Sequence, residues 1–265
     1  MRRYHGWSYN LDGALAHAPD ADGEAGFCKD DLSLRRVAVD QWGAAIFIHP
    51  DPQAACMRET YPTLFETADE IAFDPDPAEW IPYKEVVYDI PTNWKLWYDN
   101  GTVCYHCPTI HESSFADSYD SGEGSYSSEM GPGYLMSHYL NKPGDRRNAP
   151  IETEQYAFQV FPGFVCIGEG DILHMTGMVP ISAGRTHHVT HWLARPGTDP
   201  DYSRTLSDVW DQTYREDNAA TSDQYNNLAV GHQDWNRYVA GREFGAVHMS
   251  RTIWDHYKAA LSPVH

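Results

Sequence analysis

Two histidines five residues apart, His106 and His111, have the residue type and spacing to hold a metal ion together. Pro108 lies between them, and because proline cannot continue a helix interior, it supplies a break that lets both side chains face one ion. A carboxylate roughly a hundred residues later, Asp217, could complete the set. Two histidines and one carboxylate leave open positions on an octahedral metal, which is how non-haem Fe(II) sites bind O2.

The segment before the first histidine predicts a helix from residue 93 to about residue 106. Its apolar residues recur at near-helical spacing, at Trp94, Trp97, Tyr98 and Val103. We therefore expect His106 at the end of this helix and His111 just past the break. The chain contains 14 histidines, so an ordinary structural role for the pair is the alternative.

A second helix is predicted over residues 202–228, and it places Asp217 on its inward stripe. The stripe repeats at spacings of three and four residues, through Leu206, Trp210, Thr213, Asp217, Ala220, Gln224 and Leu228. A buried carboxylate is unfavourable unless it is paired or binds a metal. Asp217 is therefore either a metal ligand or a group that pairs with an arginine or caps a loop, while Glu216 points away and is the poorer candidate.

The cysteines offer a rival metal site. They form an odd, widely spread set that does not indicate a disulfide framework, at Cys28, Cys56, Cys104, Cys107 and Cys166. Cys104 and Cys107 form a Cys-x-x-Cys, which by itself indicates redox chemistry or a pair of zinc ligands, and the nearby histidines could complete a zinc site. On a helix, however, Cys104 and His106 would point about 200° apart, which weighs against a shared ion.

The region around the histidine pair resembles the iron-binding signature of Rieske-type non-haem iron oxygenases, the large (alpha) subunits of aromatic-ring-hydroxylating enzymes. The motifs that carry it are Asn93-Trp94-Lys95, Asp99-Asn100 and Cys104-Tyr105-His106-Cys107-Pro108, followed by His111. Arg215-Glu216-Asp217-Asn218 looks like the late-helix element that completes the family's iron site. The resemblance implies that His106, His111 and Asp217 hold mononuclear Fe(II), with Asn100 as a catalytic residue.

Weaker matches extend the resemblance along most of the chain. Residues 4–13 look like the second half of a Rieske 2Fe–2S domain, residues 42–52 like its closing strand, and residues 155–196 like strands of the catalytic domain. We expect an α+β protein. Residues 1–52 would be the all-β C-terminal part of a Rieske-like domain, and residues 53–265 a helix-grip catalytic domain with helices against an antiparallel sheet.

Three shorter patterns refine this expectation. Residues 10–13 predict a turn, and residues 37–39, 45–48 and 85–88 predict strands. Residues 112–150 are rich in Gly, Ser, Asp, Tyr and Pro and lack periodicity, which predicts a long loop. Such a loop could close over the metal as a lid or could be a surface excursion.

Two positions depart from the family pattern. Of the Rieske ligands only His5 is present, a vestige, because Arg2 stands where the second cysteine belongs and the first Cys-x-His pair would precede Met1. We expect no complete 2Fe–2S cluster in the chain as written, which is either a fragment or a lineage that lost the cluster. Val103 occupies the position of the Asp or Glu that links the iron to a neighbouring subunit's cluster, and valine offers no polar side-chain group.

The resemblance implies an oxidoreductase, a mono- or dioxygenase, that activates O2 to hydroxylate or oxidatively demethylate an aromatic or other apolar small molecule, as in aromatic hydrocarbon catabolism. Its expected partners are O2, the substrate, an external ferredoxin or reductase, and further copies of itself in a trimer. The alternative is a degenerate, non-catalytic member that binds a ligand or pairs with an intact alpha subunit.

Composition narrows the partners and the location. The net charge of −19 disfavours nucleic acid, because phosphate binding needs clusters of Lys and Arg. The longest apolar runs are about five residues, too short to span a membrane. The start of the chain lacks the apolar stretch of a signal peptide, so we expect a cytoplasmic protein.

Overall fold

The computed structural model describes residues 5–21, 23–73, 75–121, 125–142, 154–231 and 237–261. Within it the chain divides into two compact units, Met1–Thr60 and Tyr61–His265. The domain boundary predicted from the sequence follows residue 52, whereas the first compact unit ends at Thr60. Its assignment to a Rieske-like domain stays a prediction.

The first unit contains two β-hairpins and a single-turn helix. β1 (Ser8–Tyr9) pairs with β2 (Leu15–His17), and β3 (Ala38–Trp42) pairs with β4 (Ala45–His49). Gly13 closes the first hairpin at a φ of 86°, a left-handed conformation that glycine adopts without strain. α1 (Met57–Thr60) follows. The predicted turn and both predicted strands are confirmed, while Arg2 lies outside the described residues.

The second unit is built on a seven-stranded sheet in the order β5-β11-β10-β9-β8-β7-β6, with neighbours antiparallel throughout. The strands are β5 (Ile81–Ile90), β6 (Tyr126–Gly131), β7 (Tyr134–Leu140), β8 (Glu154–Val160), β9 (Phe164–Glu169), β10 (Ile172–Ser182) and β11 (Arg185–Ala194). The helices are α2 (Pro62–Glu70), α3 (Trp94–Gly101), α4 (Cys107–Ile110), α5 (Phe115–Ser118), α6 (Pro200–Ala229) and α7 (Phe244–Leu261). This arrangement confirms the predicted α+β class.

α6 is the long helix that the stripe of apolar residues predicted. It begins at Pro200, where the Asp199 side chain caps it by accepting a hydrogen bond from the Asp201 backbone N–H. The inward stripe from Leu206 to Asp217 is buried as expected. Its last two predicted members, Gln224 and Leu228, are exposed.

α3 and α6 are joined by buried polar contacts as well as by apolar packing. The Trp97 indole N–H donates to Asn218 Oδ1 at 2.9 Å, and the hydroxyl of Thr92, which lies just before α3, donates to the Thr221 carbonyl oxygen at 3.0 Å. Buried hydrogen bonds of this kind fix one relative position of two helices, because any shift would leave a polar group unpaired. The two helices that carry candidate site residues are therefore held in register.

The helix before the histidine pair is shorter than predicted. α3 ends at Gly101, and the Thr102 side chain donates to the Asp99 carbonyl oxygen, satisfying a helix-end acceptor. Three of the four apolar residues that predicted the helix lie before Gly101, and only Val103 follows it. His106 therefore does not end α3, and the chain passes through a separate short segment before α4.

The prediction of a long loop over residues 112–150 is wrong for the part of that range that the structure describes. α5, β6 and β7 lie within it, and β6 forms one edge of the large sheet. β7 is buried on both faces over most of its length, so it lacks the alternation that reveals a half-exposed strand. Residues 122–124 and 143–150 lie outside the described residues, and the described segment is sheet rather than lid.

None of the described helices is long and apolar enough to cross a membrane.

The close approach of α7 to the end of α3 gives a stability prediction. A Cβ added at Gly245 would overlap the Thr102 carbonyl oxygen and lie 2.8 Å from Leu135 Cδ1. Gly245→Ala should therefore lower the free energy of unfolding by about 1–3 kcal/mol, despite the better helix propensity of alanine. Chemical denaturation of the two proteins measures the difference.

Gly241→Ala is the matched control, because no described atom lies within 4 Å of a Cβ built there. Its effect should stay within about 0.5 kcal/mol. Equal stability of both variants would mean that α7 does not pack this closely on α3.

Candidate metal centre

The single turn α4 carries the two histidines, one at each end. His106 is its N-cap and His111 its C-cap, and their ring centroids lie 5.2 Å apart at an interplanar angle of 74°. Pro108 lies in the first turn, where a missing N–H removes no helix hydrogen bond. Pro108 therefore lies at the beginning of a helix rather than at a break in one. The two histidine side chains nevertheless lie close together, as the sequence predicted.

Asp217 reaches that point from the middle of α6. Its Oδ1 lies 3.1 Å from His111 Nε2 and 3.4 Å from His106 Nε2. Asn100, from α3, donates to the same oxygen at 2.6 Å. The side chains of His111 and Asp217 are almost fully buried, and that of His106 is partly exposed. The structure therefore brings together the four residues of the candidate site from three helices.

These separations fit a shared metal ion. Two ligand atoms at right angles on an ion with bonds of about 2.1 Å lie about 3 Å apart. The two measured nitrogen–oxygen distances, 3.1 and 3.4 Å, are close to this value. Imidazole nitrogen and carboxylate oxygen are also the donor types of Fe(II) sites with two histidines and one carboxylate. The residues present therefore fit mononuclear Fe(II).

The Asp217 carboxyl group carries the negative charge that a ligand of a metal cation needs. Burial by itself raises the pKa of this carboxyl, but hydrogen bonds and charge interactions with His106 and His111 outweigh it and hold the pKa below its usual range. For His111 burial lowers the pKa, while contacts with Asp217 and Glu216 raise it to a net increase. Asp217 is thus ionised at neutral pH even though it is buried.

Glu216 does not point away from the site, as the sequence suggested. Its Oε2 lies 2.8 Å from His111 Nδ1 and accepts a hydrogen bond from the Ser114 hydroxyl at 2.5 Å. Gln212, one turn earlier on α6, donates to the other oxygen at 2.9 Å. Carboxylates in this position fix the tautomer and ring orientation of a metal-binding histidine. The sequence signal for this contact was the adjacency of Glu216 and Asp217, because the two ring nitrogens of His111 can each reach one of the two carboxylates.

The polar layer behind Asp217 was also missed. Asn218 accepts from Trp97, and His188 on β11 packs against the Trp97 ring with centroids 4.7 Å apart. Burial lowers the pKa of His188 to about 3, so this imidazole is neutral. His188 lies with Thr190 and Trp192 on the buried face of β11.

A cavity of about 70 Å³ adjoins the candidate ligands. Five aromatic side chains line it, Trp97, Phe115, Tyr139, Trp210 and Tyr214. Two buried amides, Gln155 and Gln159, also line it, and the side-chain oxygen of each has no hydrogen-bond partner among the described residues. The space is therefore walled mainly by apolar groups, and the described residues that line it include no Lys or Arg.

Val103 lines the same cavity and brings an apolar group to the position of the family's linking carboxylate. Asp99, one turn earlier, does not replace it, because its Oδ1 accepts a hydrogen bond from Ser250 of α7 at 3.4 Å. Burial raises the pKa of Asp99 to about 6, which the contact with Ser250 only partly offsets. Asp99, the acid of the Asp99-Asn100 motif, is therefore part of the contact between α3 and α7.

The two cysteines beside His106 form a disulfide, contrary to the expectation of no disulfide framework. The break after α3 brings the Cα atoms of Cys104 and Cys107 to 5.0 Å, within the range that a disulfide spans. Both cysteines line the cavity. Because a disulfide sulfur is not the thiolate that binds zinc, this state of the pair offers no zinc ligand.

Comparison with known proteins agrees with these features. Residues 77–259 match the family model described as "Ring hydroxylating alpha subunit (catalytic domain)". The carnitine monooxygenase oxygenase subunit of Escherichia coli strain K12 is 29% identical over 158 residues, covering 60% of this chain and 41% of the relative. The chloroplastic choline monooxygenase of Atriplex hortensis is 25% identical over 260 residues, covering 96% and 57%. The chain thus spans less than two thirds of either curated relative.

Solved structures share the fold. A quaternary ammonium Rieske monooxygenase in complex with an inhibitor superposes with a TM-score of 0.83 at 21% identity, covering 96% of this chain and 71% of that one. Naphthalene 1,2-dioxygenase from Rhodococcus sp. gives 0.74 at 17% identity, with coverage of 98% and 76%. Because the family model covers most of the sequence, this chain belongs to the family of ring-hydroxylating alpha subunits, the Rieske-type oxygenases, and contains their catalytic domain.

Proposed function

We propose that this chain supplies the catalytic centre of a mononuclear non-haem Fe(II) oxygenase, with His106, His111 and Asp217 as the iron ligands. The observation that carries the proposal is the convergence of one oxygen of a buried, ionised carboxylate on the Nε2 atoms of two histidines, at 3.1 and 3.4 Å. Iron bound there would activate O2 for insertion into a substrate, with electrons supplied by an external ferredoxin or reductase.

The chain's own residues prepare this centre in three ways. The Glu216 carboxylate can accept a hydrogen bond from the Nδ1–H of His111. This hydrogen bond selects the tautomer whose Nε2 lone pair is available to bind the metal. Asn100 donates to Asp217 Oδ1 and fixes the carboxylate orientation. The aromatic walls exclude water from the space in which a substrate would lie.

The incomplete set of 2Fe–2S ligands, the trimer and the cytoplasmic location stay predictions. The family is Rieske-type, but His5 is the one cluster ligand that the sequence offers here, and it lies in an exposed turn. Val103 is what favours the second candidate, a non-catalytic member that pairs with an intact alpha subunit. A chain that binds iron but gives no product with any electron donor would support that candidate.

For the substrate we propose a quaternary ammonium compound, which would be hydroxylated or oxidatively demethylated. Two of the matching relatives are named carnitine and choline monooxygenases, and the predicted link to aromatic hydrocarbon catabolism has no support from them. Five aromatic rings line the cavity without an accompanying Lys or Arg among the described residues. Ring faces attract a quaternary ammonium group by about 0.5–2 kcal/mol, and the net charge of −19 also favours a cation.

The ligand assignment predicts a graded loss of iron. Asp217→Asn removes a ligand charge and should weaken Fe(II) binding by at least about a hundredfold, whereas Glu216→Gln removes a partner of a ligand and should weaken it by about tenfold. Asp223→Asn, at an exposed position on the same helix, is the control and should bind iron like the unaltered chain. Anaerobic Fe(II) titration measures all four affinities, and full iron binding by Asp217→Asn would refute the assignment.

The substrate assignment predicts selectivity for positive charge at constant shape. Choline should bind the iron-loaded chain more tightly than 3,3-dimethylbutan-1-ol, its uncharged isostere, by about 1 kcal/mol or more. Trp210→Leu should reduce this difference by removing a ring from the cavity wall, while Trp254→Leu, on the exposed part of α7, should leave it unchanged. Calorimetric titration gives both affinities, and equal binding of the two compounds would argue against a cationic substrate.

A further inference from the structure

Cys107 lies close enough to the candidate ligands to become one of them. A ligand atom from each of His106, Cys107 and His111 lies within 4.8 Å of the other two. Cys107 Sγ is 4.0 Å from His106 Nε2. A sulfur and a nitrogen bound to one tetrahedral zinc lie about 3.6 Å apart. The observed separation of Cys107 Sγ and His106 Nε2 is therefore within a few tenths of an ångström of the value that a shared zinc ion would require.

The disulfide with Cys104 prevents Cys107 Sγ from binding a metal ion. While the bond is closed, Cys107 has no thiolate to offer, and the centre presents two histidines and Asp217. Cys107 belongs to the cluster with the histidines, whereas Cys104 is not one of its members. The two cysteines thus have unequal roles, with Cys107 as the group that could bind a metal and Cys104 as the group that blocks it.

We propose that the Cys104–Cys107 pair is a redox-controlled metal ligand, and that reduction converts this centre into a thiolate-containing site for Zn²⁺. A dithiol reductant transfers two electrons and two protons to the disulfide, the Cys104–Cys107 bond breaks, and the reductant becomes a cyclic disulfide. Zn²⁺ then binds Cys107 Sγ with release of the thiol proton to solvent, joined by His106 and His111. The inference rests on the proposed function only in taking these histidines as metal ligands.

The chemistry of the donors gives the direction of the change. Thiolate favours zinc, whereas imidazole with carboxylate suits Fe(II). Cys107, His106 and His111 would leave the fourth tetrahedral position of zinc to water, and zinc, which has no redox chemistry, cannot activate O2 as Fe(II) does. Since thiols stay reduced in compartments that contain glutathione and thioredoxin, the state of this pair would determine whether the centre binds iron for catalysis or zinc in an inactive form.

Co²⁺ tests the inference, because a cobalt–thiolate bond gives an intense near-ultraviolet absorption that nitrogen and oxygen ligands do not give. The full chain is titrated anaerobically with Co²⁺, once with the disulfide intact and once after dithiothreitol treatment and desalting. The oxidised chain should bind Co²⁺ without the thiolate absorption, and the reduced chain should show it. Competition with a chelator should give Zn²⁺ binding that is tighter in the reduced chain by at least about tenfold.

Two matched variants separate the cysteines. Cys104→Ser leaves Cys107 permanently free and should show the thiolate absorption without any reductant. Cys107→Ser should bind Co²⁺ without it in both redox states, and Cys107→Ala provides a second variant should the serine disturb folding, which circular dichroism monitors. Cys28 and Cys56 are exposed thiols that every variant retains, so Cys107→Ser also reports any binding at those positions.

The outcomes that overturn the inference are distinct from those that overturn the proposed function. If reduced wild type lacks the absorption, or if Cys107→Ser retains it at full intensity, Cys107 is not a ligand. Neither result affects the assignment of His106, His111 and Asp217, which the Fe(II) titration of Asp217→Asn decides separately.

Discussion

The contact of one buried carboxylate with two imidazoles is the interaction on which the architecture of this chain depends. An ionised Asp217 without partners would destabilise the fold by several kcal/mol. Its Oδ1 instead meets His111, His106 and Asn100. These groups come from α3, α4 and α6, so the burial of this carboxylate requires all three helices to be in place. The long α6 and the buried contacts between Trp97 and Asn218 supply that constraint.

His111 connects the carboxylate of Asp217 to a second carboxylate, that of Glu216. Its two ring nitrogens lie 2.8 Å from Glu216 and 3.1 Å from Asp217, which are adjacent in sequence. Two neighbouring acids on one helix would repel each other, but the imidazole between them and the hydrogen bonds from Ser114 and Gln212 disperse the charge. The arrangement makes Asp217 the candidate ligand and Glu216 the group that orients His111.

Features that depend on local periodicity or on a specific motif could be predicted from the sequence, and those that depend on tertiary packing could not. α6 and the position of Asp217 on its buried stripe followed from a repeat of three to four residues over many turns, and the histidine pair followed from its motif. The end of α3 was missed because a single glycine and the Thr102 cap outweighed weak periodicity. β7 was missed because burial on both faces removes alternation, and the disulfide because the two cysteines meet only once the chain leaves the helix.

The candidate ligands and the cavity walls share their supporting elements, so the position of one is tied to the position of the other. Trp210, Thr213 and Asp217 lie on one stripe of α6, and Trp97 and Asn100 lie on α3. A displacement of either helix would move a candidate ligand or its partner together with an aromatic wall. The cavity therefore cannot be reshaped through these helices without disturbing the metal centre. Gln155, Gln159 and Val165 come from β8 and β9 instead, so substitutions on the sheet side would reshape the cavity with the candidate ligands left in place.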